Sequence, residues 1–321
     1  MKVLVTGSSG FIGTNLLLEL QCQGHEIMGI DIRAQHPGVK TSFSLCDLLD
    51  AGKLGKIIGQ FSPEFIVHLA ARTDLEERNE INGYAVNIQG VENLIAAIKS
   101  SSSVKRCIFT SSQLVCKVGH VPSSFDDYCP NTLYGESKVL TEKIVKRNDG
   151  GNVEWCLVRP TTLWGPYESH YLQFFKMVKW GRYFHIGKKP LRKSYGFVGN
   201  AVRQYLKLLI CSGALMNRKT FYIADYQPIS LQDWADEFQR QMGAPKIWTI
   251  PFPVAKAIAL TGDLLLYAGV TSFPMTSFRL GNIMTEYVFD LSETKNLCGP
   301  APFSMQDGVR LTIEWLRENA V

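Results

Sequence analysis

A glycine-rich turn within the first thirteen residues constrains the fold more than any other feature of the sequence. The apolar run Lys2–Thr6 leads into Gly7-Ser8-Ser9-Gly10-Phe11-Ile12-Gly13, and apolar residues then recur at helical spacing. Gly7 permits a tight turn, Gly10 lets a phosphate approach the backbone, and Gly13 lets the helix pack on the strand. Amides at the start of a helix bind anions. The segment therefore predicts a strand–turn–helix unit that holds a pyrophosphate.

Short apolar runs alternate with helical patterns through the first half of the chain. Further strands are expected at Glu26–Asp31, Phe43–Cys46, Phe65–Ala70, Lys105–Ser111 and Val153–Val158, and helices around Tyr84–Ser100 and at Leu133–Arg147. Apolar strands separated by crossover helices are typical of a parallel sheet covered on both faces. The expected fold class is α/β, a doubly wound parallel sheet of the Rossmann type.

The alternation stops after residue 160, where aromatic residues and glycines become frequent. We expect a Rossmann domain over residues 1–160, joined by a segment near 195–225 in which Phe221–Ile223 has the pattern of a strand. Residues 161–321 are expected to form mainly a smaller, mostly helical substrate lobe. We interpret the apolar stretch Val254–Val270 as a buried helix of this lobe, with a position on a membrane surface as the alternative. It is too short and too polar to span a bilayer.

An acidic residue ends the second expected strand. Asp31 lies eighteen residues after Gly13, where a carboxylate accepts hydrogen bonds from the adenosine ribose and repels a 2′-phosphate. This favours NAD over NADP. Arg33, two residues further on, would tolerate a phosphate, so the sequence does not exclude NADP.

A tyrosine and a lysine four residues apart form the candidate catalytic pair. Tyr134 and Lys138 share one face of the expected helix Leu133–Arg147. The strand before this helix ends in the hydroxyl run Thr110-Ser111-Ser112. Functional groups gather at the carboxyl ends of parallel strands, so we expect serine, tyrosine and lysine to meet there.

With these motifs in place, the chain resembles the extended short-chain dehydrogenase/reductase superfamily, in its NAD-dependent epimerase/dehydratase family. The resemblance extends over essentially the whole chain. The matching segments are Thr6–Gly13, Asp31, Asp47-Leu48, His68–Ala71, Asn87–Gly90, Thr110–Ser112, Tyr134 with Lys138, Arg159-Pro160, Trp164–Pro166 and a C-terminal stretch from Phe289 to Trp315.

The resemblance implies a role for each matching residue. Tyr134 is the acid/base, Lys138 binds the nicotinamide ribose and lowers the tyrosine pKa, and Ser112 hydrogen-bonds the reacting oxygen, with Ser111 as the alternative. Asp47 is expected beside the adenine. The implied cofactor-binding set is Gly7, Ser9, Gly10, Phe11, Ile12, Gly13, Asp31, Ile32, Arg33, Asp47, Leu48, Leu69, Ala70, Ala71, Asn87, Tyr134, Lys138 and Pro160. His68 is interpreted as a core residue, and Asn87 also as a brace of the backbone.

The chain departs from the family pattern next to the expected catalytic residues. Ser112 is followed by Gln113-Leu114-Val115 rather than by the acidic pair of the dehydratases, which argues against 4,6-dehydration. A threonine, Thr162, stands where asparagine is common, and Asn200 replaces the usual acid. Expected substrate contacts are Thr73, Thr162, Lys193 and Arg279, the last two as candidates for a diphosphate.

The resemblance implies hydride chemistry on a sugar nucleotide. We expect an NAD-dependent nucleotide-sugar 4-epimerase. The alternatives are a 4-ketoreductase using NAD or NADP, a 3β-hydroxysteroid-type dehydrogenase, and a non-catalytic dinucleotide-binding regulator, against which the intact Tyr134/Lys138 pair argues. A homodimer is expected through the helices around Tyr84–Ser100 and Leu133–Arg147, because these resemble the pair that forms the family's four-helix interface.

Composition removes several other classes of function. The net charge is +5 over 321 residues, without a basic tail or groove-reading motif, so nucleic acid is not an expected partner. The eight cysteines have no paired spacing, which is typical of core residues in a reducing compartment. We expect a cytoplasmic enzyme with no secretory signal, no integral membrane segment and no metal.

Overall fold

The computed structural model describes residues 1–77, 79–187, 189–270, 273 and 275–319. Its strands are β1 (Lys2–Thr6), β2 (Glu26–Asp31), β3 (Ser42–Leu45), β4 (Phe65–His68), β5 (Arg106–Thr110), β6 (Glu154–Pro160), β7 (Thr162–Trp164), β8 (Phe184–Ile186), β9 (Arg192–Lys193), β10 (Tyr195–Phe197), β11 (Lys219–Ile223), β12 (Ile229–Ser230) and β13 (Trp248–Ile250). Its helices are α1 (Phe11–Cys22), α2 (Ala51–Phe61), α3 (Ala85–Lys99), α4 (Leu133–Arg147), α5 (Leu172–Lys179), α6 (Val198–Ile210), α7 (Gly213–Met216), α8 (Leu231–Met242), α9 (Phe252–Tyr267), α10 (Ser277–Met284), α11 (Ser292–Cys298) and α12 (Met305–Glu318).

Seven of these strands form one parallel sheet in the order β11–β6–β5–β4–β1–β2–β3. The chain starts in the middle at β1, runs outward through β2 and β3, and crosses back to β4, which pairs with the other side of β1. The last strand, β11, comes from beyond residue 160 and pairs with β6. The expected doubly wound Rossmann sheet is confirmed, and its crossover lies beside the glycine turn that follows β1.

Alternating side chains along β1 build two cores. Val3 and Val5 pack on one face with apolar residues of α1 and α6, whereas Leu4 packs on the other face with residues of α2 and α3. Because successive side chains of a strand point to opposite faces, a strand that is apolar throughout needs a helical layer on each side.

Aromatic rings hold the second lobe together and against the sheet. Trp234 of α8 stacks on Phe174 of α5 with ring centroids 4.5 Å apart, and it packs edge-on against Trp164 of β7 at 5.6 Å. Trp164 is fully buried and lies only four residues beyond the end of β6. The aromatic density after residue 160 therefore forms a shared core between the lobe and the sheet.

The interpretation of Val254–Val270 as a buried helix is wrong. Helix α9 covers most of this stretch, but it buries only Ala255, Ala259 and Gly262, while Leu260 and Leu264 face solvent. Hydropathy counts apolar residues without regard to which helix face turns inward. In α9 the small residues face inward and the large apolar residues face outward. In the part of the chain that the structure describes, no helix has the length and apolar character needed to cross a membrane.

A fully buried ion pair joins α4 to β6. The Arg159 guanidinium donates to both carboxylate oxygens of Glu142, each at 2.8 Å, and neither side chain is exposed. Glu142 also accepts from the Ser111 hydroxyl at 2.6 Å and from the Tyr128 hydroxyl at 2.9 Å. Arg159 donates further to the Phe125 carbonyl at 2.6 Å. Buried charges are tolerated when they are paired and fully hydrogen-bonded in this way.

Removing one partner of this pair tests its contribution to stability. Glu142→Leu leaves the Arg159 charge buried without its carboxylate, so we expect a loss of about 3–5 kcal/mol in the free energy of unfolding. Urea denaturation followed by circular dichroism measures the change. Glu293→Leu breaks the half-exposed Lys219–Glu293 pair and is the control, with an expected change below about 1 kcal/mol. Equal losses in the two variants would contradict the prediction.

Candidate active site

The glycine turn packs against backbone so closely that two of its positions exclude a side chain. Gly7 has φ +70°, and a Cβ there would lie 2.5 Å from the Ala70 amide nitrogen. A Cβ on Gly13 would overlap the Gly7 carbonyl oxygen. The first contact joins the ends of β1 and β4, and the second places the first turn of α1 directly on the loop. The turn therefore has the tight geometry of a dinucleotide-binding loop.

The start of α1 can hold an anion. Gly10 caps this helix without any side-chain hydrogen bond, and its first turn contains no acidic residue. The leading amides, including those of Phe11 and Ile12, are thus left to a ligand, and the helix dipole favours a negative one. A Cβ on Gly10 would meet only the Gly7 carbonyl oxygen, at 3.2 Å, so the approach to the backbone is open. These features fit a pyrophosphate.

Asp31 organises the loops at the ends of β1 and β2. Its two carboxylate oxygens accept from the backbone amides of Ser9 and Arg33, each at 3.0 Å, and the residue is buried. The Ser9 hydroxyl donates to the Arg33 carbonyl, and the mostly exposed Arg33 side chain forms an ion pair with Asp31, with Nε 3.8 Å from Oδ1. Ile32 is exposed between them. The two amides fix this carboxylate beside the glycine turn, where the adenosine ribose of a dinucleotide binds.

The two residues expected near the adenine follow β3. Asp47 is exposed and its carboxylate accepts from the Leu49 amide at 2.9 Å, which forms a short turn. Leu48 is buried and packs against α3 at Gly90. Asp47 is therefore accessible to a ligand, whereas Leu48 anchors the loop on α3.

The segment after β4 lines the other side of the glycine turn. Leu69, Ala70 and Ala71 are half-buried, and the Ala70 amide donates to the Thr6 hydroxyl at 3.3 Å. Asn87 is fully buried: its amide group is bonded to both backbone groups of Arg72 and donates to the Ser137 hydroxyl at 2.9 Å. Asn87 thus braces this segment against α3 and α4. Pro160 lies at the end of β6.

The catalytic candidates meet at the carboxyl end of β5. Tyr134 and Lys138 lie one turn apart on α4 and are both buried. The Lys138 ammonium donates to the Thr110 carbonyl at 3.0 Å. The Ser112 hydroxyl accepts from the Leu114 amide at 3.1 Å and is close enough to the Tyr134 hydroxyl to lower its pKa. The structure therefore brings Ser112, Tyr134 and Lys138 together, as the spacing predicts.

The environment of this group favours its uncharged forms. Burial raises the pKa of Tyr134 to about 12, and the hydrogen bond with Ser112 opposes this only in part. Burial also lowers the pKa of Lys138 to about 8, against the pull of the Glu142 carboxylate. In the protein without its cofactor, desolvation of Tyr134 therefore outweighs hydrogen bonding.

The two adjacent serines have different partners. Ser111 donates to the buried Glu142 carboxylate and belongs to the ion-pair network. The Ser112 hydroxyl instead accepts from the Leu114 amide at 3.1 Å, and its effect is on the pKa of Tyr134. Successive residues at the end of a strand face opposite ways, so the geometry favours Ser112 for contact with a substrate oxygen.

The four expected substrate residues are distributed over both lobes. Thr73 is exposed after β4, and the Thr162 hydroxyl accepts from the Gln113 side chain at 3.1 Å. The buried Lys193 donates to the Asn282 carbonyl at 2.5 Å, and its burial lowers its pKa to about 8. Arg279 is exposed on α10 and contacts the Phe273 carbonyl. Thr162 is thus close to the residues after Ser112, whereas Lys193 and Arg279 lie with α10.

Two contacts near the site escaped the sequence analysis. The Tyr287 hydroxyl donates to the Cys116 carbonyl at 3.2 Å, next to the short turn that follows Ser112. Gln113 belongs to that turn and contacts Thr162. The first contact joins residues 171 positions apart, for which a single sequence carries no signal. The sequence shows that Gln113 departs from the family pattern, but it does not show that the Gln113 side chain contacts Thr162.

His68 lies in the core, as interpreted. Its Nδ1 is 2.8 Å from the Thr6 hydroxyl. Burial, with a smaller effect of Lys138, lowers its pKa to about 3, so the ring is neutral. Among the described residues, no cluster of three or more histidine, cysteine or acidic side chains could hold a metal ion.

A Rossmann sheet, a glycine turn that accepts a pyrophosphate and a Ser–Tyr–Lys group define a dinucleotide-dependent enzyme. A family model, the NAD dependent epimerase/dehydratase family, matches residues 3–208. The chain belongs to this family and is therefore an NAD-dependent enzyme.

Individual relatives are distant and have different activities. The chain is 24% identical to N-acetyl-alpha-D-glucosaminyl-diphospho-ditrans,octacis-undecaprenol 4-epimerase of Escherichia coli O157:H7, over 98% of this chain and 95% of that protein. It is 27% identical to a 3 beta-hydroxysteroid dehydrogenase/Delta 5-->4-isomerase of Mycobacterium tuberculosis, over 73% and 67%. UDP-glucose 4-epimerase of Thermotoga maritima, crystallised with UDP-glucose, has the same fold, with a TM-score of 0.78, 20% identity and full coverage of both chains.

A matched pair of variants tests the role of the Tyr134 phenolic oxygen as the acid/base. Tyr134→Phe keeps the ring and removes the titrating oxygen, so we expect turnover to fall by a factor of at least ~10³ with NAD affinity unchanged. Tyr84→Phe is the control, since its ring centroid is 6.1 Å away and its hydroxyl donates to a backbone carbonyl. Steady-state kinetics and calorimetry give the two quantities. Comparable turnover in both variants would mean that the acid/base is another group.

Asp31 is expected to set the preference for NAD. In Asp31→Ala the 2′-phosphate of NADP no longer faces a carboxylate, and NAD loses a charge-assisted hydrogen bond worth about 1.5–3 kcal/mol. The ratio of NAD to NADP affinity, measured by titration calorimetry, should therefore fall at least about tenfold. A wild-type protein that binds NADP as tightly as NAD would overturn this role.

Proposed function

We propose that the protein is a 4-epimerase that inverts C4 of a sugar attached to a diphosphate, with a nucleotide sugar as the substrate. The observation that carries the proposal is the gathering of Ser112, Tyr134 and Lys138 at the carboxyl end of β5, where the buried Lys138 ammonium donates to the Thr110 carbonyl at 3.0 Å. It lies on the edge of the sheet where the glycine turn follows β1, and where ligands bind in open α/β sheets.

Tyr134 would exchange one proton with the substrate. It takes the proton of the C4 hydroxyl as the C4–H bond breaks, and gives it back to the 4-keto oxygen when the hydrogen returns to the opposite face. Ser112 donates a hydrogen bond to the same oxygen and stabilises the charge that develops on it. NAD, held by the glycine turn and Asp31, would supply a reversible acceptor for the hydride of C4. Substrate and product therefore have the same oxidation state.

Lys138 and bound NAD would together make Tyr134 a base. The buried tyrosine has a pKa of about 12, so near neutral pH the phenolate needs a nearby positive charge. Lys138 is one turn away, and the oxidised nicotinamide ring is a cation. In a closed, poorly solvated site such charges are worth several kcal/mol.

A cavity in the second lobe is the candidate site for the group that carries the sugar. Met177, Phe184, Leu191, Met275 and Met284 are among the residues that line it. It is connected to the catalytic residues through the backbone: Lys193 pairs with Tyr287, whose hydroxyl reaches the Cys116 carbonyl. None of the catalytic candidates is among the described residues that line this cavity, so we assign it to the carrier rather than to the sugar.

The apolar lining favours a second candidate substrate, a polyprenyl-diphosphate sugar. Apart from Tyr183, His185, Lys189 and Gln232, the described lining residues are aliphatic side chains, methionines and one phenylalanine. The Escherichia coli relative is named for a substrate of this kind and matches nearly the full length of the chain. Flexible methionines adapt to apolar ligands.

The reductase alternatives use the same catalytic residues. A 4-ketoreductase, or a dehydrogenase of the kind found in Mycobacterium tuberculosis, would also need Ser112, Tyr134 and Lys138. What separates the reactions is the fate of the cofactor: an epimerase leaves it unchanged, whereas a reductase consumes one reduced cofactor per turnover.

The test follows the cofactor and the C4 configuration together. The purified protein is incubated, without added cofactor and then with NAD, with UDP-glucose, UDP-N-acetylglucosamine and undecaprenyl-diphospho-N-acetylglucosamine. NMR reads C4 and the absorbance of reduced nicotinamide is recorded. We expect inversion without net absorbance change, lost in Tyr134→Phe.

Two outcomes would contradict the proposal. Stoichiometric consumption of NADH with a 4-keto sugar, without inversion of any 4-hydroxy sugar, would identify a reductase. Oxidation of a 3β-hydroxysteroid, with no activity on the sugars, would identify a dehydrogenase. Inversion of the lipid-linked sugar alone would change the carrier and leave the reaction as proposed.

The remaining expectations belong to the same proposal. These are a boundary near residue 160 between NAD-binding and substrate lobes, a cytoplasmic location, and a homodimer through α3 and α4. The helices α3 and α4 pack on each other, and the outward residues of α4 are Glu136, Leu140, Lys143 and Arg147. This face is more charged than apolar, so the proposed dimer rests on resemblance to the family.

A further inference from the structure

Helix α9 packs with its small residues inward and its large apolar residues outward. It buries its small residues Ala255, Ala259 and Gly262, which face Ile186 of β8 and Leu280 of α10. A Cβ on Gly262 would overlap the Met275 carbonyl oxygen, so this face needs glycine. The opposite face presents Leu264, 69% exposed, and Tyr267, 94% exposed. A surface helix normally turns its large apolar residues inward.

The exposed apolar residues continue beyond α9. Among the described residues, nine of the twenty large apolar side chains that are exposed lie between 248 and 278, about a tenth of the chain. They include Trp248, 77% exposed, and Phe278 at the start of α10. We call this surface the α9 face, defined by Trp248, Phe252, Val254, Leu260, Leu264, Leu266, Tyr267, Val270 and Phe278. Exposed apolar residues concentrated in this way mark an interaction site.

The polar groups of this region are bonded internally. The exposed Thr261 donates to the Ala257 carbonyl within α9 at 3.0 Å. Asp263 accepts from the Ser277 amide at 3.1 Å. The Thr261 hydroxyl therefore needs no water, and the Asp263 carboxylate is held by one backbone donor.

The charges of the region are mostly positive. Residues 244–282 contain Lys246, Lys256 and Arg279 and a single acid, Asp263. A symmetric contact between two copies would place these like charges together, whereas anionic lipid headgroups complement them. Trp248 on β13 and Tyr267 at the end of α9 have the amphipathic rings that are enriched at membrane–water interfaces.

We propose that the α9 face binds the headgroup region of an anionic lipid bilayer, with α9 lying in the plane of the membrane. The sixteen-residue helix is about 24 Å long, which suits a position parallel to the surface. Its inner face packs on Phe184, Met275 and Met284, which also line the cavity of the second lobe. Docking therefore places the cavity wall next to the bilayer. The docking does not depend on the proposed function.

Sedimentation with vesicles tests the docking on the full-length protein. Vesicles of phosphatidylethanolamine with phosphatidylglycerol, and of phosphatidylcholine alone, are mixed with wild type, the double variant L264Q/Y267Q and the control V121Q/I210Q. Val121 and Ile210 are 82% and 60% exposed and lie outside the α9 face. We expect wild type and control to bind the anionic vesicles, and the L264Q/Y267Q variant to bind at least about tenfold more weakly. Binding of the wild type should weaken in high salt.

Controls separate this proposal from its alternatives. Thermal melting and NAD binding must be unchanged in L264Q/Y267Q. Tyr134→Phe should bind vesicles as the wild type does, which separates docking from catalysis. Equal binding of wild type and L264Q/Y267Q, or no binding of wild type to anionic vesicles, would overturn the proposal. It would also be overturned by light scattering if L264Q/Y267Q turned a wild-type dimer into a monomer, because a second copy would then cover the face.

Discussion

The buried pair of Arg159 and Glu142 fixes the helix on which the catalytic side chains stand. Tyr134, Lys138 and Glu142 follow one another at intervals of four residues, so they share one face of α4. The carboxylate of Glu142 can leave water only if it meets the guanidinium at the end of β6, which sets the rotation of the helix about its axis. The same carboxylate holds Ser111 and thereby turns the next residue, Ser112, toward Tyr134. One electrostatic constraint thus orients three side chains of the candidate site.

Local signals predicted the elements of the sheet well. The bounds of β1, β2 and α4 agree with the sequence pattern at both ends, because each begins or ends at a residue with a strong local preference, such as Gly7 after β1 or the capping Thr132 before α4. The glycine turn was predicted equally well from the sequence. At Gly7 a positive φ and a close backbone contact leave glycine as the only residue that fits.

The rest of the site depends on contacts between distant residues. Ser111 and Ser112 are chemically equivalent in the sequence, and only the position of Glu142 separates their environments. The pairing of Gln113 with Thr162 depends on how β7 approaches the turn after Ser112. For α9, hydropathy identified an apolar helix but not its orientation, because the close approach of Met275 to Gly262 reverses the usual inward face.

The hydroxyl of Tyr287 has a consequence for how the two lobes move. It donates to the Cys116 carbonyl just beyond the turn that begins at Ser112, and the backbone of Tyr287 is bonded to Arg192 and Ser194 of the second lobe. Opening the cleft between the lobes therefore either breaks this contact or pulls on the turn next to the catalytic serine. The turn that begins at Ser112 is thus held by a residue that is itself anchored in the second lobe.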